Sequence, residues 1–474
     1  MLDIHEYKDA EKVFRFFEQI SLIPHGSTNT APIADFLENF AKTRNLWYYR
    51  DNADNVIIRK PATKGYEQRP AVIFQGHTDM VADKIKECAK DLEKEGLEIY
   101  RDGDFIRAAG TTLGGDDGVA IAYALAVLDS DDIPHPEFEA LFTSDEEIGL
   151  LGAEALDASH LKGRLLVNID SDDEGVFTVG CAGGLRTDSV MSIEREECKS
   201  NLWKLCVKGL KGGHSGVEID KGRANAIKLL GKILIQIDGL KISEISGGNA
   251  DNAIPRYAEC IFEAEEDAIR RIQSFIDDLV KEYSKAEENI KILLEKLDIR
   301  QPVLKNPYTS RVLEFISKVP SGALQMSSEI AGQVQTSANL GIISTGRNAV
   351  EIAVSVRSSK NEEKEKLVFG IEKLARDLSM SFAKRGAYPA WEYREKSYLR
   401  DTMVRVYTEM YKKPPSVITI HAGLECGILC NKIQDLDCVS IGPDNFDIHT
   451  PEEHLSISST ARVWEYLKLL LKSI

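Results

Sequence analysis

Five short polar clusters carry the side chains of this sequence that are best suited to binding metal ions. They are HTD (77–79), GGDDG (114–118), DEE (145–147), NIDS (168–171) and IHTPEE (448–453). Together they supply two histidines that can act as ligands and a surplus of carboxylates, without a thiolate. Imidazole and carboxylate ligands suit zinc-like divalent ions. A pair of such ions also needs one carboxylate that bridges them and another that stays free as a base.

Three of these clusters also have an ordinary structural explanation. A histidine that follows a strand, such as His77, is more often structural than liganding, although Asp79 is well spaced to orient a liganding ring. Asp116 and Asp117 can cap a helix, yet two adjacent acids between glycines exceed what a cap needs. The carboxylates of 145–147 repel one another unless a cation or solvent compensates for their charge. The metal hypothesis therefore depends on the clusters acting together.

Short apolar segments lead into three of the clusters and are predicted to be buried strands. AVIFQGH (71–77), FEALFTSDEE (138–147) and RLLVNIDSD (164–172) each begin with apolar residues and end in polar ones, a pattern typical of a mixed α/β sheet. VAIAYALAVLD (119–129) is apolar on nearly every side and is predicted to be a buried helix. In such folds functional groups collect at the carboxyl ends of the strands.

The sequence pattern changes near residue 185 and changes back near residue 390. The intervening residues alternate strand and helix patterns, with helices predicted at 281–296 and 360–385. We therefore expect an α/β catalytic domain, with a mixed sheet flanked by helices, formed by residues 1–184 and 390–474. Residues 185–389 would form an α+β domain inserted into it.

The bulk composition excludes several classes of partner. A net charge of −17, from 76 acidic and 59 basic residues, argues against nucleic acid or anionic lipid. No apolar stretch approaches the roughly 18 residues of a membrane span, and the N-terminus lacks the pattern of a signal peptide. The eight cysteines form no CxxC motif, which favours reduced thiols, although Cys426 and Cys430 are spaced to form a metal pair on a helix. We therefore expect a cytoplasmic protein.

The motifs, in their order along the chain, resemble one known family over essentially its whole length. The sequence resembles the aminoacyl-histidine dipeptidases (cytosol non-specific dipeptidases) of the co-catalytic zinc aminopeptidase, aminoacylase and carboxypeptidase superfamily. The resemblance implies a zinc-exopeptidase-like catalytic domain and an inserted domain that acts as a lid and forms a homodimer. The matching motifs are FQGHTDMV, TTLGGDDGVA, FTSDEEIGLLGA, NIDSDDEG, GGHSG, GGNADNAIPR, SVRSS, HAGLE and GPDNFDIHTPEE.

The resemblance also implies a role for each cluster. Two divalent ions, zinc or in its place cobalt or manganese, would hold a bridging hydroxide that attacks the peptide bond of a dipeptide such as Xaa-His. Glu146 would be the general base, Asp79 would orient His77, and the peptide bond between Asp116 and Asp117 would be cis. By site, the implied ligands are His77 and Asp170 for one ion and Glu147 and His449 for the other, with Asp116 shared.

The substrate contacts follow from the same resemblance. His214 would donate to the oxyanion, across a dimer interface, and Asn252 is a similar donor; the alternatives are an ordinary polar loop and a turn-stabilising asparagine. Arg357 would hold the C-terminal carboxylate of the substrate, and a surface arginine is the alternative. Glu425, with His421, would meet the free amine from the returning catalytic domain.

Two alternative functions remain open at the level of sequence. One is a different exopeptidase of the superfamily, such as a tripeptide aminopeptidase, or an N-acyl amino acid deacylase. The other is a binding protein that has lost catalysis on the same scaffold, which the presence of all five implied ligands and the base argues against. The expected partner is a small peptide substrate, with neither nucleic acid nor membrane.

Overall fold

The computed structural model describes residues 2, 4 and 6–474, and the chain forms two units. The first unit comprises the chain up to Gly180 together with Tyr393–Thr419 and Leu424–Ile474, and the second comprises Cys181–Glu392 with Ile420–Gly423. The sequence predicts changes after residues 184 and 389, close to the first two of these boundaries. It does not predict the return of 420–423 to the second unit, so its assignment of His421 to the catalytic domain is wrong.

The described residues form 11 α-helices and 25 strands. The helices are α1 (Glu11–Ser21), α2 (Ala31–Thr43), α3 (Gly115–Leu128), α4 (Leu151–Ala155), α5 (Ala226–Leu234), α6 (Glu266–Tyr283), α7 (Tyr308–Lys318), α8 (Asn361–Asp377), α9 (Tyr398–Tyr411), α10 (Glu425–Lys432) and α11 (Ile457–Ser473). The strands are β1 (Trp47–Arg50), β2 (Val56–Lys60), β3 (Val72–His77), β4 (Ile99–Asp102), β5 (Phe105–Ala108), β6 (Phe138–Thr143), β7 (Leu165–Asn168), β8 (Val176–Cys181), β9 (Gly183–Ser192), β10 (Arg195–Glu196), β11 (Asn201–Lys208), β12 (Gly213–His214), β13 (Lys241–Gly247), β14 (Ala253–Ile254), β15 (Ala258–Ala264), β16 (Lys291–Leu297), β17 (Val303–Leu304), β18 (Gly322–Met326), β19 (Val334–Thr345), β20 (Ala349–Ser358), β21 (Ser381–Tyr388), β22 (Ser416–Ile420), β23 (Asp437–Ser440), β24 (Asn445–Phe446) and β25 (His454–Ser456).

A mixed eight-stranded sheet organises the first unit, which confirms the predicted fold class. Its strand order is β1-β2-β6-β3-β7-β23-β8-β22. β3 pairs in parallel with β6 and β7, and β7 pairs in parallel with β23. Every residue of β3 and β6 is buried, as expected for strands covered on both faces. Since parallel strands end at the same edge, the residues that follow β3, β6 and β7 collect there.

Helix α3 packs against β3 and α1, and nearly all of its residues are buried. Its apolar character on all sides is therefore explained by burial rather than by a single core-facing stripe. The glycine before it, Gly114, has a φ of 68°. A Cβ at this position would lie 2.8 Å from Met80 Sδ, so both the backbone conformation and the space require glycine.

The second unit is built on a largely antiparallel sheet, in the order β16-β11-β15-β13-β19-β20-β9-β21, with β18 paired to β19. Helices α5 and α8 pack on this sheet, and their buried side chains join one apolar core with those of the strands. Two short strands, β12 and β14, form a separate ribbon. This is the α+β composition that the sequence predicts for the intervening residues.

Two of the predicted helices in this unit are wrong over part of their length. The prediction at 281–296 fails because α6 ends at Tyr283 and Lys291–Leu297 forms β16. Lysine, glutamate and leucine favour a helix locally, but pairing with β11 outweighs that preference. The predicted helix at 360–385 ends at Asp377, and Ser379 has a φ of 60° before β21 begins.

None of the helices in the described residues combines the length and the apolar character that crossing a bilayer requires.

Candidate active site

Neighbouring strands of the first unit bring the polar clusters together. β3 ends at His77, and the register pairs His77 with Thr143 at the end of β6. Gln75 of β3 pairs with Asn168 at the end of β7. The HTD, DEE and NIDS clusters therefore leave the sheet at one edge, as the sequence predicts from their positions after buried strands.

Asp116 lies between the two histidines of the clusters. Its Oδ1 is 2.9 Å from His77 Nε2, and its Oδ2 is 3.0 Å from His449 Nε2. The peptide bond between Asp116 and Asp117 is cis, as predicted. Each oxygen of this one carboxylate thus faces a different imidazole, which is the arrangement that a ligand shared by two ions requires.

The remaining predicted ligands complete two groups around Asp116. His77, Asp116 and Asp170 form one group, and Asp116, Glu147 and His449 form the other; within each group the donor atoms lie within 4.8 Å of one another. His449 Nε2 is 2.8 Å from Glu147 Oε1. The structure therefore brings all five predicted ligands together, and the imidazole and carboxylate donors suit zinc-like ions.

The pKa values of several side chains at the site are raised, which shows that the site favours positive charge. Hydrogen bonds to Asp116 and Glu147 raise the pKa of His449 to about 10. Burial lowers the pKa of His77, but its interactions with nearby carboxylates outweigh burial and raise that pKa well above its ordinary value. Burial raises the pKa of Glu146 to about 8. These shifts reflect a dense group of buried carboxylates whose field attracts cations, so the residues present fit a metal centre.

The side chain of His77 is oriented through Asp79. Its Nδ1 donates to the Asp79 backbone carbonyl at 2.9 Å, while the Asp79 carboxylate is 3.6 Å away. A carbonyl can only accept, so Nδ1 carries a proton, and Nε2 is the nitrogen that a metal would bind in place of a proton. The Asp79 carboxylate accepts from the Glu146 backbone N–H at 2.8 Å and from Ser27 Oγ at 2.8 Å. It thereby fixes the turn that carries Glu146 and Glu147.

Glu425 opens α10 and is fully buried. Its Oε2 accepts hydrogen bonds from Gln75 Nε2 at 2.7 Å and from Thr143 Oγ1 at 2.6 Å. Among the described residues its Oε1 has no hydrogen-bond partner. Burial raises the pKa of this carboxyl group to about 7. A buried oxygen of this kind can accept from a ligand.

The second unit brings His214 and Asn252 together. β12 and β14 pair His214 with Ala253, and the Ser215 N–H donates to the Asn252 carbonyl at 2.8 Å. Both side chains line a cavity of about 740 Å³. His214 Nδ1 accepts from the Gly216 N–H at 3.2 Å, and burial lowers the pKa of the ring. The neutral ring therefore carries its proton on Nε2, where it can be donated.

Arg357 projects from β20 into a second cavity, of about 360 Å³, that Asn252 also lines. Its Nη1 donates to Tyr388 Oη at 2.8 Å. Two other arginines of this cavity, Arg186 and Arg385, form ion pairs with aspartates. Within the described residues Arg357 has no carboxylate partner, and its Nε is buried without a hydrogen bond. It is thus the arginine of this cavity that is available to an anion.

Known proteins resemble this chain over nearly its whole length. Residues 73–473 match the sequence model of Peptidase family M20/M25/M40. The chain belongs to this peptidase family. It is 34% identical to the cytosol non-specific dipeptidase of Escherichia coli (strain K12), over 98% of each chain. The aminoacylhistidine dipeptidase of Vibrio alginolyticus has a similar structure, with a TM-score of 0.93 and 34% identity over 98% of this chain and 96% of that one. The aminopeptidase PepT of Bacillus cereus shares the fold, with a TM-score of 0.58 and 16% identity over 98% of each chain.

As a member of the M20/M25/M40 family, the chain is a hydrolase that acts on peptide bonds. Membership of the family does not itself assign a role to any residue of this chain, so the roles below are argued from the geometry.

The structure also reveals one buried residue of this M20-family site that sequence reasoning missed. Glu453 Oε2 accepts from the backbone N–H groups of Leu113 and Gly114, at 2.8 and 3.0 Å, and its Oε1 accepts from those of Gly115 and Asp116, at 2.8 and 3.3 Å. One carboxylate thus holds the whole turn that presents Asp116. The only sequence signal is its place four residues after His449, and nothing local indicates its distant partner.

Proposed function

We propose that the chain is a dipeptidase with two divalent metal ions, held by His77 and Asp170 on one side, by Glu147 and His449 on the other, and by Asp116 between them. The observation that carries this proposal is the Asp116 carboxylate, whose two oxygens face two different histidines at 2.9 and 3.0 Å. When bound, such ions acidify water and polarise a peptide carbonyl. We propose zinc as the metal and the cytoplasm as the location; the name of the Escherichia coli relative supports both the substrate class and the location.

Glu146 is the general base of the proposed reaction. It is half-buried beside the proposed ligand Glu147, and its backbone N–H is fixed by Asp79. Its carboxylate takes a proton from the attacking water and returns it to the nitrogen of the leaving amine. His214 Nε2 donates to the oxygen that becomes negative during the attack, and the Asn252 side chain is a second donor.

Side chains suited to bind a carboxylate and an amine indicate that the substrate is a short peptide with both ends free. Arg357 binds the C-terminal carboxylate, because its Nε is buried without a partner among the described residues and its fork suits two carboxylate oxygens. Glu425 binds the free amine through its unpaired buried oxygen. The roles of the second unit as a lid and as a dimerisation domain stay predictions.

Removing the metal should abolish hydrolysis reversibly. We expect a chelator to eliminate turnover of alanyl-alanine, zinc, cobalt or manganese to restore it, and the active protein to contain about two ions per chain. Elemental analysis of the purified protein, alongside a panel of dipeptides, tripeptides and N-acetyl amino acids, provides the measurement. Activity on N-acetyl amino acids without activity on dipeptides would instead favour the deacylase alternative.

Replacing Arg357 by alanine should weaken recognition of the carboxylate. The charge-assisted bonds it offers are worth about 1.5–3 kcal/mol, so kcat/KM for alanyl-alanine should fall about 10–100-fold, mainly through KM. The comparison substrate is alanyl-ethylamide, which lacks only the carboxylate. Equal losses on both substrates would rule out the carboxylate role.

A further inference from the structure

A row of directly opposed residues crosses the sheet of the second unit at Arg357. Ser337 of β19 pairs with Arg357 of β20, Arg357 pairs with Gly184 of β9, and Gly184 pairs with Tyr388 of β21. Opposed residues of antiparallel strands have Cβ atoms about 4.5–5.5 Å apart and share a face of the sheet. Ser337 and Tyr388 therefore flank Arg357 on the face where its guanidinium lies.

The two sides of this row are built differently. On one side, a Cβ at Gly184 would lie 2.5 Å from Tyr388 Oη, so the glycine leaves room for the hydroxyl that accepts from Arg357 Nη1. On the other side, Ser337 Oγ is 2.7 Å from Nε2 of His421. The tyrosine thus holds one end of the guanidinium, and the serine holds an imidazole next to it.

His421 offers a buried polar atom that no described residue satisfies. The residue is 7% exposed, and its Nδ1 has no hydrogen-bond partner among the described residues. Burial lowers the pKa of the ring to about 4, and the charge of Arg357 acts in the same direction, against a smaller opposite effect of the Val334 carbonyl. The ring is therefore neutral at pH 7 and carries one N–H. When the Ser337 hydroxyl donates to Nε2, that N–H is on Nδ1.

With the Ser337 hydroxyl donating to Nε2, Arg357 Nε and His421 Nδ1 are two buried donors without a partner among the described residues. Arg357 lies directly opposite Ser337, the residue that holds the His421 ring. Buried donors are normally paired, so this pair marks the place of an acceptor that comes with the ligand. A carboxylate has two oxygens and one negative charge, which matches two donors with the single positive charge of Arg357. An ammonium group has no lone pair to accept from either donor.

We propose that His421 donates from Nδ1 to the C-terminal carboxylate of the substrate, next to Arg357, with Ser337 fixing its ring. The inference rests on the proposed dipeptidase function and deepens it, because it moves His421 from the amine end of the substrate, where the sequence grouped it with Glu425, to the carboxylate end.

Two substitutions of His421 separate this role from a purely structural one. The amide of asparagine can occupy the position of Nδ1, whereas that of glutamine reaches the position of Nε2. We expect His421→Gln to lower kcat/KM for alanyl-alanine about 10-fold or more through KM, as for loss of a hydrogen bond to a charged group. On alanyl-ethylamide the same variant should stay within about twofold of the wild type, because the lost partner is absent from that substrate. His421→Asn should recover most of the loss on alanyl-alanine.

The same measurements distinguish the failure of this inference from failure of the dipeptidase function. If the wild type does not hydrolyse alanyl-alanine, the proposed function is wrong. If the wild type is active and Arg357→Ala discriminates between the two substrates, but His421→Gln loses equally on both or on neither, the role of His421 is wrong. Activity on alanyl-ethylamide reports whether each variant has kept an intact catalytic centre.

Discussion

Replacing Glu146 by alanine should lower kcat by about two to four orders of magnitude, the usual contribution of a general base, while the metal content stays near that of the wild type. The reason is that Glu146 lies beside the ligand groups without belonging to the two that share Asp116. Steady-state kinetics and elemental analysis on the same preparation test both parts of the expectation.

The neighbouring Glu147 provides the matched control for this substitution. Glu147→Ala removes a carboxylate of the Asp116 and His449 group and should lose metal together with activity. Glu146 also lies within 4.8 Å of His77 and Glu147 through its donor atom, so the opposite assignment is a real alternative. Loss of metal from Glu146→Ala, with retention by Glu147→Ala, would exchange the two roles.

Glu453→Gln should weaken metal binding about 10–100-fold, the range found when a residue that orients a ligand is replaced. It should also lower the free energy of unfolding. The carboxylate presents two acceptor oxygens to four backbone N–H groups, whereas glutamine has only one acceptor oxygen. Metal titration followed by kinetics at saturating metal separates affinity from turnover, and thermal unfolding reports stability.

The adjacent Glu452 serves as the control for Glu453, since it carries the same charge but is exposed. Glu452→Gln should leave metal affinity and unfolding temperature close to those of the wild type. If the two variants behave alike, the effect belongs to the charge of this segment and not to support of the Asp116 turn.

Sequence reasoning succeeds here where the signal is local. The apolar run before His77 predicts the buried strand β3, and the apolar stretch at 119–129 predicts the buried helix α3, because burial on all sides leaves no polar stripe in the sequence. Three of the clusters follow predicted buried strands directly, and this local signal is enough to place them at one edge of the sheet. Their grouping into two ligand sets came from the family resemblance, and the geometry around Asp116 supports it independently.

Sequence reasoning fails where distant parts of the chain decide the outcome. Lys291–Leu297 has the composition of a helix and becomes a strand because β11 supplies a pairing edge. Glu453 resembles any surface glutamate until the turn at 113–116 provides its four donors. His421 lies in the short segment Ile420–Gly423, which belongs to the second unit although the segments that flank it belong to the first. None of these facts leaves a local pattern.

The position of His449 has a consequence for the order in which the protein is made. The chain leaves the first unit after Gly180 and returns at Tyr393, so His77, Asp116, Glu147 and Asp170 are synthesised long before His449, the last of the proposed ligands. During translation, the nascent first part contains the donors of the group with Asp170 but lacks both His449 and the glutamate that holds the Asp116 turn. On the proposed assignment, the second group is therefore complete only after the final part of the chain has been synthesised, and capture of a metal pair would come late in biogenesis.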